Sequence, residues 1–370
     1  MNRPPREPQR DRRAAAGRAR LFASLGLLAG VLAGAPLSPP PAAAEFADAE
    51  VLQVLTTDQP RDKAIRRGLE YLRKSQRPDG AYGQPYATAN SSLALMAHFA
   101  AGYTLEDQQY GEGLRRGVAA VLAHQDDDGY FGRHDGSNMY GHGIAALMLA
   151  EAVGMTRDDD LEEKMRRALE RAVRVTINAA LIRKRPGHEG GWRYQPTQED
   201  SDLSLSGWQL MSLHAVQQVG VPVPEKIITA AVNYAKRLTT LDGKVGYASR
   251  GEDRPALRGL ALLCFAIAGD LKAPEVTAVA DKILADPIRW EVEYFSYRAY
   301  YDAVGMARAA PDHWQLYAAR LEDVLLKHQQ DDGSWDSPGP EVGRAGYVYV
   351  SSMAILALTV QRHVLPAYQR

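Results

Sequence analysis

Residues with chemical potential concentrate in the segment 199–209, which reads Glu-Asp-Ser-Asp-Leu-Ser-Leu-Ser-Gly-Trp-Gln. Asp200 and Asp202 stand at the predicted start of a helix, where a carboxylate can cap the helix or serve in catalysis. Ser206 and Gln209 follow Asp202 by four and seven residues, so the three side chains share one helical stripe. A carboxylic acid kept protonated by its neighbours can donate a proton. The sequence predicts Asp202, with Asp200, in that catalytic role, and helix capping is the alternative.

Aromatic and arginine side chains recur where other helices are predicted to begin. Tyr294, Tyr297 and Tyr301 repeat with the spacing of one helix face. Such rings can line an apolar cavity or stabilise a cation, and they can equally fill a core. The predicted ligand-binding residues are Tyr140, Ser206, Trp208, Gln209, Arg254, Arg258, Tyr294, Tyr297, Arg298 and Tyr347.

The remaining chemical candidates are a histidine and a cysteine. His142 opens another predicted helix, where it could act as a base or ligand or could simply pack. Cys264 is the one cysteine of the chain and lies in an apolar run, so no disulfide framework is expected. The sequence contains no phosphate loop, no Gly-x-Ser-x-Gly elbow and no His-Glu-x-x-His. We therefore expect no metal and no cofactor.

Helices in pairs are predicted to position these residues. The first helix of each pair is amphipathic and charged, which suits an outer layer, and the second is apolar on all sides, which predicts burial. The predicted pairs are 61–76 with 88–102, 109–125 with 139–154, 159–182 with 203–219, 224–239 with 255–269, 273–285 with 291–305, and 313–330 with 347–362.

Six such pairs predict an all-α fold, an α6/α6 double-ring toroid, with an open superhelix of stacked pairs as the competing arrangement. The loops from outer to inner helices are long, whereas most return loops are short. This asymmetry predicts that the long loops meet at one rim, above the N-termini of the inner helices. Asp202, His142 and the tyrosines would then converge on that rim.

A motif of the form Gln-x3-Gly-x-aromatic closes several outer helices, and a fixed repeat of this kind is an architectural signal. An amide can bridge the unpaired backbone groups of two helix termini, so the glutamines and the aromatic residues are predicted to be structural. The copies are Gln76-x3-Gly80-x-Tyr82, Gln125-x3-Gly129-x-Phe131 and Gln329-x3-Gly333-x-Trp335, with a degenerate Gly190-x-Trp192 and a remnant at Asp242-Gly243.

This repeat around an all-α double ring resembles the terpenoid cyclase and protein prenyltransferase superfamily, in which squalene–hopene cyclases carry its fullest form. The resemblance implies a toroid and, in class II cyclases, an Asp-x-Asp-Asp proton donor at the start of an inner helix. Asp202 matches the first acidic position, but Ser204 and Leu205 occupy the other two. The zinc site of the prenyltransferases is not matched either, because Leu262 stands two residues before Cys264.

The N-terminal region has the composition of an export signal. Residues 1–44 contain seven arginines, an apolar run at 21–35 and an Ala-rich end. This pattern predicts a secretory signal peptide cleaved after about Ala44, and hence a periplasmic or extracellular protein. A lead-in segment at 45–60 and a toroid domain at 61–366 would follow. The segment after residue 44 carries 37 basic and 43 acidic side chains, which argues against a nucleic-acid partner.

Three classes of function remain open from the sequence. The favoured class is a terpenoid cyclase-like toroid that binds an apolar isoprenoid or lipid at the inner-helix rim, with peripheral membrane contact left open. The second is a carbohydrate-active lyase or glycosidase, with Asp202 paired with Glu291 or Glu293. The third is a non-catalytic interaction module whose partner is unknown. A deep apolar cavity would support the first class, an acid-lined groove the second and a filled centre the third.

Overall fold

The computed structural model describes residues 59–337 and 339–362, and these residues form twelve α-helices. The predicted signal peptide, most of the lead-in segment and the end of the predicted toroid domain at 363–366 lie outside the described residues. The outer helices are α1 (Pro60–Ser75), α3 (Gly111–Ala123), α5 (Asp159–Leu181), α7 (Glu225–Leu238), α9 (Pro274–Ala285) and α11 (Pro311–Lys327). The inner helices are α2 (Ala87–Ala100), α4 (Asn138–Ala152), α6 (Leu203–Gln218), α8 (Arg258–Ile267), α10 (Phe295–Ala309) and α12 (Glu341–Thr359).

Burial separates the two sets of helices as the hydrophobic pattern predicts. Every residue of α2 is buried, as are all but two residues of α4. The outer helix α5 instead buries one stripe and exposes charged side chains elsewhere. By length and composition α12 is apolar enough to cross a bilayer, but most of it is buried as one of the inner helices. The apolar core therefore lies between the two layers.

The inner helices form a closed ring. Each one contacts the next in the order α2, α4, α6, α8, α10 and α12, and α12 in turn contacts α2. The outer layer closes in the same way where α11 contacts α1. The predicted α6/α6 double ring is confirmed, and the open superhelix is wrong.

Two predicted inner helices differ from the observed ones by four residues or more at their starts, and α8 begins three residues later than predicted, at Arg258. Helix α10 begins four residues later than predicted, because Tyr294 adopts a left-handed conformation with φ of 56° and interrupts the helix. Helix α12 begins at Glu341, six residues earlier than predicted, and bends at Gly346, whose φ is 86°. Both differences lie at the rim where the inner helices start.

Glutamine side chains fasten the end of one outer helix to the next outer helix. Gln329 Nε2 donates to the carbonyl of Gly333 in its own turn at 3.0 Å and to that of Ala64 on α1 at 2.8 Å. This bond joins the last unit of the chain to the first. Gln76 donates in the same way to Gly80 and Gly113, and Gln125 to Gly129 and Ala168.

A glycine in each of these turns rests directly on the neighbouring outer helix. Gly333 has a φ of 93°, and a Cβ atom there would lie 2.3 Å from the carbonyl oxygen of Arg67. The same approach occurs at Gly80, Gly129, Gly190 and Gly243. The turn at Gly243 is complete, with Thr239 paired to Val245 as Gln329 is paired to Trp335. The fourth helix pair therefore keeps the turn geometry, although its sequence has lost both the glutamine and the aromatic residue of the motif.

We expect Gly333→Ala to lower the free energy of unfolding by about 2–3 kcal/mol, because the left-handed backbone alone costs about 1–2 kcal/mol and the new Cβ also meets a carbonyl. Gly102→Ala is the matched control, since Gly102 has a φ of 96° and nothing within 4 Å of its Cβ position. Urea denaturation of both variants measures the difference. Equal losses would mean that the approach to α1 imposes no steric requirement.

Candidate functional site

The N-terminal ends of the inner helices surround one cavity of about 670 Å³. All six inner helices, or the loops that lead into them, contribute to its wall. Its size falls within the range of small-molecule sites, which is about 300–1,000 Å³. The predicted convergence at the rim therefore produces a chamber rather than a filled centre.

Aromatic and aliphatic side chains form most of the cavity wall. Leu93 and Ile144 contribute aliphatic surface. Trp208 also lines the cavity and stacks on Tyr300, with ring centroids 5.8 Å apart and planes 10° apart. The Trp208 side chain is almost fully buried, because one face of its ring packs against the core of the inner ring. The aromatic lining residues are Tyr86, Tyr140, Tyr194, Trp208, Tyr247, Tyr294, Tyr297 and Tyr349.

Asp202 lies behind this wall as the N-cap of α6. Its side chain is fully buried, and its Oδ1 accepts the Leu205 N–H at 2.9 Å and the Ser204 hydroxyl. Its Oδ2 accepts Arg193 Nη1 at 2.6 Å. Ser204 lines the cavity and hydrogen-bonds to the Tyr140 hydroxyl at 2.6 Å. Asp202 thus reaches the cavity indirectly, through Ser204 and through Arg193, which donates to a tyrosine hydroxyl of the lining.

Arg193 is held between aromatic rings and carboxylates. Its guanidinium lies 4.9 Å from the Tyr194 ring centroid and 5.5 Å from that of Tyr247, and it donates to the Tyr247 hydroxyl at 2.9 Å. Burial alone would lower the pKa of Arg193, but the hydrogen bond and the charge of Asp202 outweigh that effect and raise the pKa. Arg193 therefore stays cationic, and Asp202 has a permanent counter-ion.

A second polar feature lies at the start of α12. Glu341 lines the cavity, and its carboxylate accepts the backbone N–H groups of Ser296 and Tyr297 at 3.0 and 3.1 Å. It also accepts the Ser337 hydroxyl at 3.0 Å. Burial raises the pKa of Glu341 even though these bonds act in the opposite direction. Nearby, Arg344 donates to the Tyr294 hydroxyl at 3.1 Å.

Left-handed backbone at non-glycine residues occurs at this cavity. In the described part of the chain three non-glycine residues have positive φ, namely Tyr86, Asn138 and Tyr294, and all three line the cavity. A left-handed conformation is an outlier for a bulky side chain, and such strain clusters at functional sites. The helix starts at this rim therefore include strained backbone conformations that ordinary helix starts lack.

Solved structures with a similar arrangement of helices include mannanases and a terpene cyclase. An inactive variant of an α-1,6-mannanase of Salegentibacter sp., in complex with α-1,6-mannotriose, aligns with a TM-score of 0.60 and 9% identity over 81% of this chain and 98% of its own. The type II terpene cyclase MstE of Scytonema aligns with a TM-score of 0.55 and 13% identity over 83% and 99%. An α-mannanase of Bacteroides thetaiotaomicron gives a TM-score of 0.57 and 12% identity over 84% and 98%.

This chain has the α/α-toroid fold. No protein-family model matches it, and neither does any curated protein. The similarity to the solved structures shows the fold alone, because all these identities are low. Mannanases and a terpene cyclase share this fold, so the fold does not indicate whether a ligand would be a saccharide or an isoprenoid.

Five of the predicted binding residues lie together in the toroid's cavity wall: Tyr140, Trp208, Arg254, Tyr294 and Tyr297. The other five do not line it. Ser206 and Gln209 are buried and bonded to Trp192 N–H and the Met139 carbonyl, and Tyr347 is exposed. Arg258 and Arg298 are buried ion-pair partners of Asp286.

The other two predicted catalytic residues also lie outside the cavity lining. His142 is fully buried and bonds to Phe131 N–H, the Ala172 carbonyl and Thr176. Burial lowers its pKa to about 4, so it is neutral at physiological pH. Asp200 pairs with Arg193 at 3.2 Å. No group of three potential metal ligands occurs among the described residues.

The sequence missed wall residues that lie outside the predicted inner helices. Tyr194 and Tyr247 lie between helices, and Glu341 and Arg344 precede residue 347, where the last inner helix was predicted to begin. Periodicity within single helices gives no signal for loop residues. These residues come together only once the ring has closed.

Proposed function

We propose that the protein binds one apolar small molecule, of the isoprenoid or lipid class, in the cavity at the N-terminal rim of its inner ring. The observation that carries this proposal is the aromatic and aliphatic lining of a chamber of about 670 Å³. Apolar pockets with a few convergent polar groups are the usual form of a small-molecule site. The left-handed residues on the rim add support.

The polar groups of the cavity favour this class over a glycosidase. Glycoside hydrolysis usually needs two carboxyl groups about 5–9.5 Å apart on either side of the bond. Glu341 is the one acidic side chain among the described residues of the lining, and both its oxygens accept backbone or hydroxyl donors. Glu291 and Glu293 are exposed and lie outside the lining. Among its described residues the cavity therefore lacks the pair of acids that hydrolysis of a bound saccharide requires.

The terpenoid cyclase relationship is proposed at the level of ligand class and not of reaction. The cyclase MstE has also been solved with its substrate geranylgeranyl dihydroxybenzoate, with a TM-score of 0.50 to this chain. A class II proton donor must be a protonated acid. Asp202 instead faces a guanidinium and two neutral donors. Export of the protein is a further proposal that rests on the composition of residues 1–44.

The test is to extract the purified protein with organic solvent and to identify bound molecules by mass spectrometry. We expect a stoichiometric apolar molecule and, after delipidation, binding of geranylgeraniol measured by tryptophan fluorescence. Ala89→Trp should weaken that binding at least about tenfold, because an indole of this size fills cavity volume that the ligand needs.

Ala119→Trp is the matched control, since Ala119 is exposed on the outer helix α3. It should leave both the extracted molecule and the affinity unchanged. Retention of a mannose oligosaccharide in place of the apolar molecule would support the carbohydrate alternative. Equal affinities of the two tryptophan variants would remove the cavity as the binding site.

A further inference from the structure

Two buried tyrosine hydroxyls beside the cavity, Tyr297 Oη and Tyr301 Oη, have no hydrogen-bond partner outside their own pair among the described residues. Burial raises the pKa of Tyr297, whereas the Tyr301 hydroxyl, which lies close enough to act as a donor toward Tyr297, lowers it. Tyr297 lines the cavity, and the Tyr301 ring packs against it with centroids 4.6 Å apart. A buried hydroxyl without a partner costs free energy, and most such groups in proteins are satisfied. Their position at a small-molecule chamber suggests that a ligand atom supplies the partner.

The direction of the neighbouring hydrogen bonds follows from the charge on Asp202. Because Asp202 is paired with Arg193, its carboxylate only accepts hydrogen bonds. The Ser204 hydroxyl must therefore donate to Asp202 Oδ1. With its one proton used there, Ser204 accepts from the Tyr140 hydroxyl, which lies 2.6 Å away. Tyr140 Oη consequently presents lone pairs, and no proton, to any further partner.

Tyr140 and Tyr297 bring opposite hydrogen-bonding capacities to the same wall. Both side chains line the cavity, and besides burial the Tyr140 phenol is one of the groups that raise the pKa of Tyr297. Burial raises the pKa of both phenols well above the ordinary value, so both remain protonated at neutral pH. Because Tyr301 acts as the donor toward Tyr297, the proton of Tyr297 stays available to a ligand, while Tyr140 has a free acceptor.

We propose that Tyr140 and Tyr297 form a recognition site for an alcohol. Tyr297 O–H donates to the ligand oxygen, and the ligand O–H donates to Tyr140 Oη. The ligand is then a long-chain or isoprenoid alcohol with its hydroxyl at this pair and its hydrocarbon part along the apolar wall. This inference rests on the proposed function and adds the chemical class of the ligand's polar group.

Other head groups satisfy this pair less well. An ether or a ketone accepts from Tyr297 but offers no proton to Tyr140. A carboxylate also lacks that proton, and its charge would be buried next to the lone pairs of Tyr140 and the carboxylate of Asp202. A hydrocarbon offers no hydrogen bond to either tyrosine. An alcohol is the group that uses the donor and the acceptor together.

The experiment compares three probes on the delipidated full chain: geranylgeraniol, its methyl ether and the hydrocarbon of the same chain length. For the natural sequence we expect the alcohol to bind about tenfold more tightly than either analogue, the effect of one to two lost hydrogen bonds. Tyr297→Phe should reduce the affinity for the alcohol to that for the ether and should leave the affinity for the hydrocarbon unchanged.

Tyr234→Phe is the matched control. Its hydroxyl is also buried and without a partner in the described residues, but Tyr234 lies on the outer helix α7 and does not line the cavity. It should leave the preference for the alcohol intact. Equal affinities of the natural protein for all three probes would overturn the alcohol assignment while upholding an apolar site. Failure of all three to bind would overturn the proposed function and this inference with it.

Discussion

Replacing Arg193 by Met should lower the free energy of unfolding by about 3–5 kcal/mol, because the change leaves a buried carboxylate without its counter-ion. Asp202 is fully buried, and its Oδ2 lies 2.6 Å from Arg193 Nη1. The donors that remain, Ser204 O–H and Leu205 N–H, are neutral and both point to Oδ1. Methionine keeps much of the apolar stem, so the variant isolates the charge. Urea denaturation followed by circular dichroism gives the free energy.

Asp200→Asn is the control for this prediction, because Asp200 contacts the same guanidinium from the exposed side. Its Oδ2 lies 3.2 Å from Arg193 Nε, and 33% of its side chain is exposed, against 0% for Asp202. Exposed ion pairs contribute little, so this variant should lose no more than about 1 kcal/mol. If the two variants lost the same stability, burial of Asp202 would not be what makes the pair important.

The same ion pair defines the chemical character of the cavity wall. Arg193 donates to the Tyr247 hydroxyl, which lies 3.3 Å from that of Tyr194, and Asp202 accepts from Ser204. The charges of Arg193 and Asp202 therefore stay behind this part of the wall, where hydroxyl groups face the chamber. Such a wall suits a neutral ligand with a polar group better than it suits acid catalysis. The incomplete Asp-x-Asp-Asp motif also argues against acid catalysis by Asp202.

The fold could be predicted from the sequence because its signals are local. Apolar inner helices alternate with amphipathic outer ones, and Gln329 and its counterparts mark the turns between them. The fourth unit shows the limit of that approach. Thr239 and Val245 form the same paired turn as Gln329 and Trp335. Here Gly243 and its approach to the next helix set the geometry, so the side-chain motif could be lost while the turn remained.

The site was predictable only where helix starts determine it. Tyr140, Trp208 and Tyr297 were found because they lie near the N-termini of inner helices. Arg258 and Arg298 also lie near the N-termini of inner helices. Their side chains nevertheless form ion pairs with aspartate side chains instead of lining the cavity. Sequence periodicity shows that an inner helix is buried on all sides, but it does not show which side faces the chamber. That choice depends on the rotation of each helix within the closed ring.

Replacing Asp302 by Leu should cost about 2–4 kcal/mol, because the change removes the fully buried counter-ion of Arg298, which keeps only the partly exposed Asp286, and leaves two further buried donors without their acceptor. Asp302 is fully buried, and its Oδ2 accepts Arg298 Nε at 3.2 Å and the Tyr317 hydroxyl at 3.1 Å. Its Oδ1 accepts the Gly259 N–H at 3.1 Å. The backbones of α8 and α10 are so close that a Cβ at Gly259 would lie 2.3 Å from Tyr301 O. The packing therefore leaves little room for Arg298 to find water.

Two further variants separate the loss of charge pairing from the loss of packing. Asp323→Leu removes another carboxylate paired with a cation four residues along its helix, but Asp323 and Lys327 are both more than half exposed, so it should change stability by less than about 0.5 kcal/mol. The double change Arg298→Met and Asp302→Leu removes both charges and should be more stable than Asp302→Leu alone, because apolar groups can replace a buried pair at little cost. Asp286 keeps Arg258 as a partner in that variant. A double variant no more stable than Asp302→Leu would locate the cost in the broken bonds to Gly259 and Tyr317 instead of in the weakened charge pairing of Arg298.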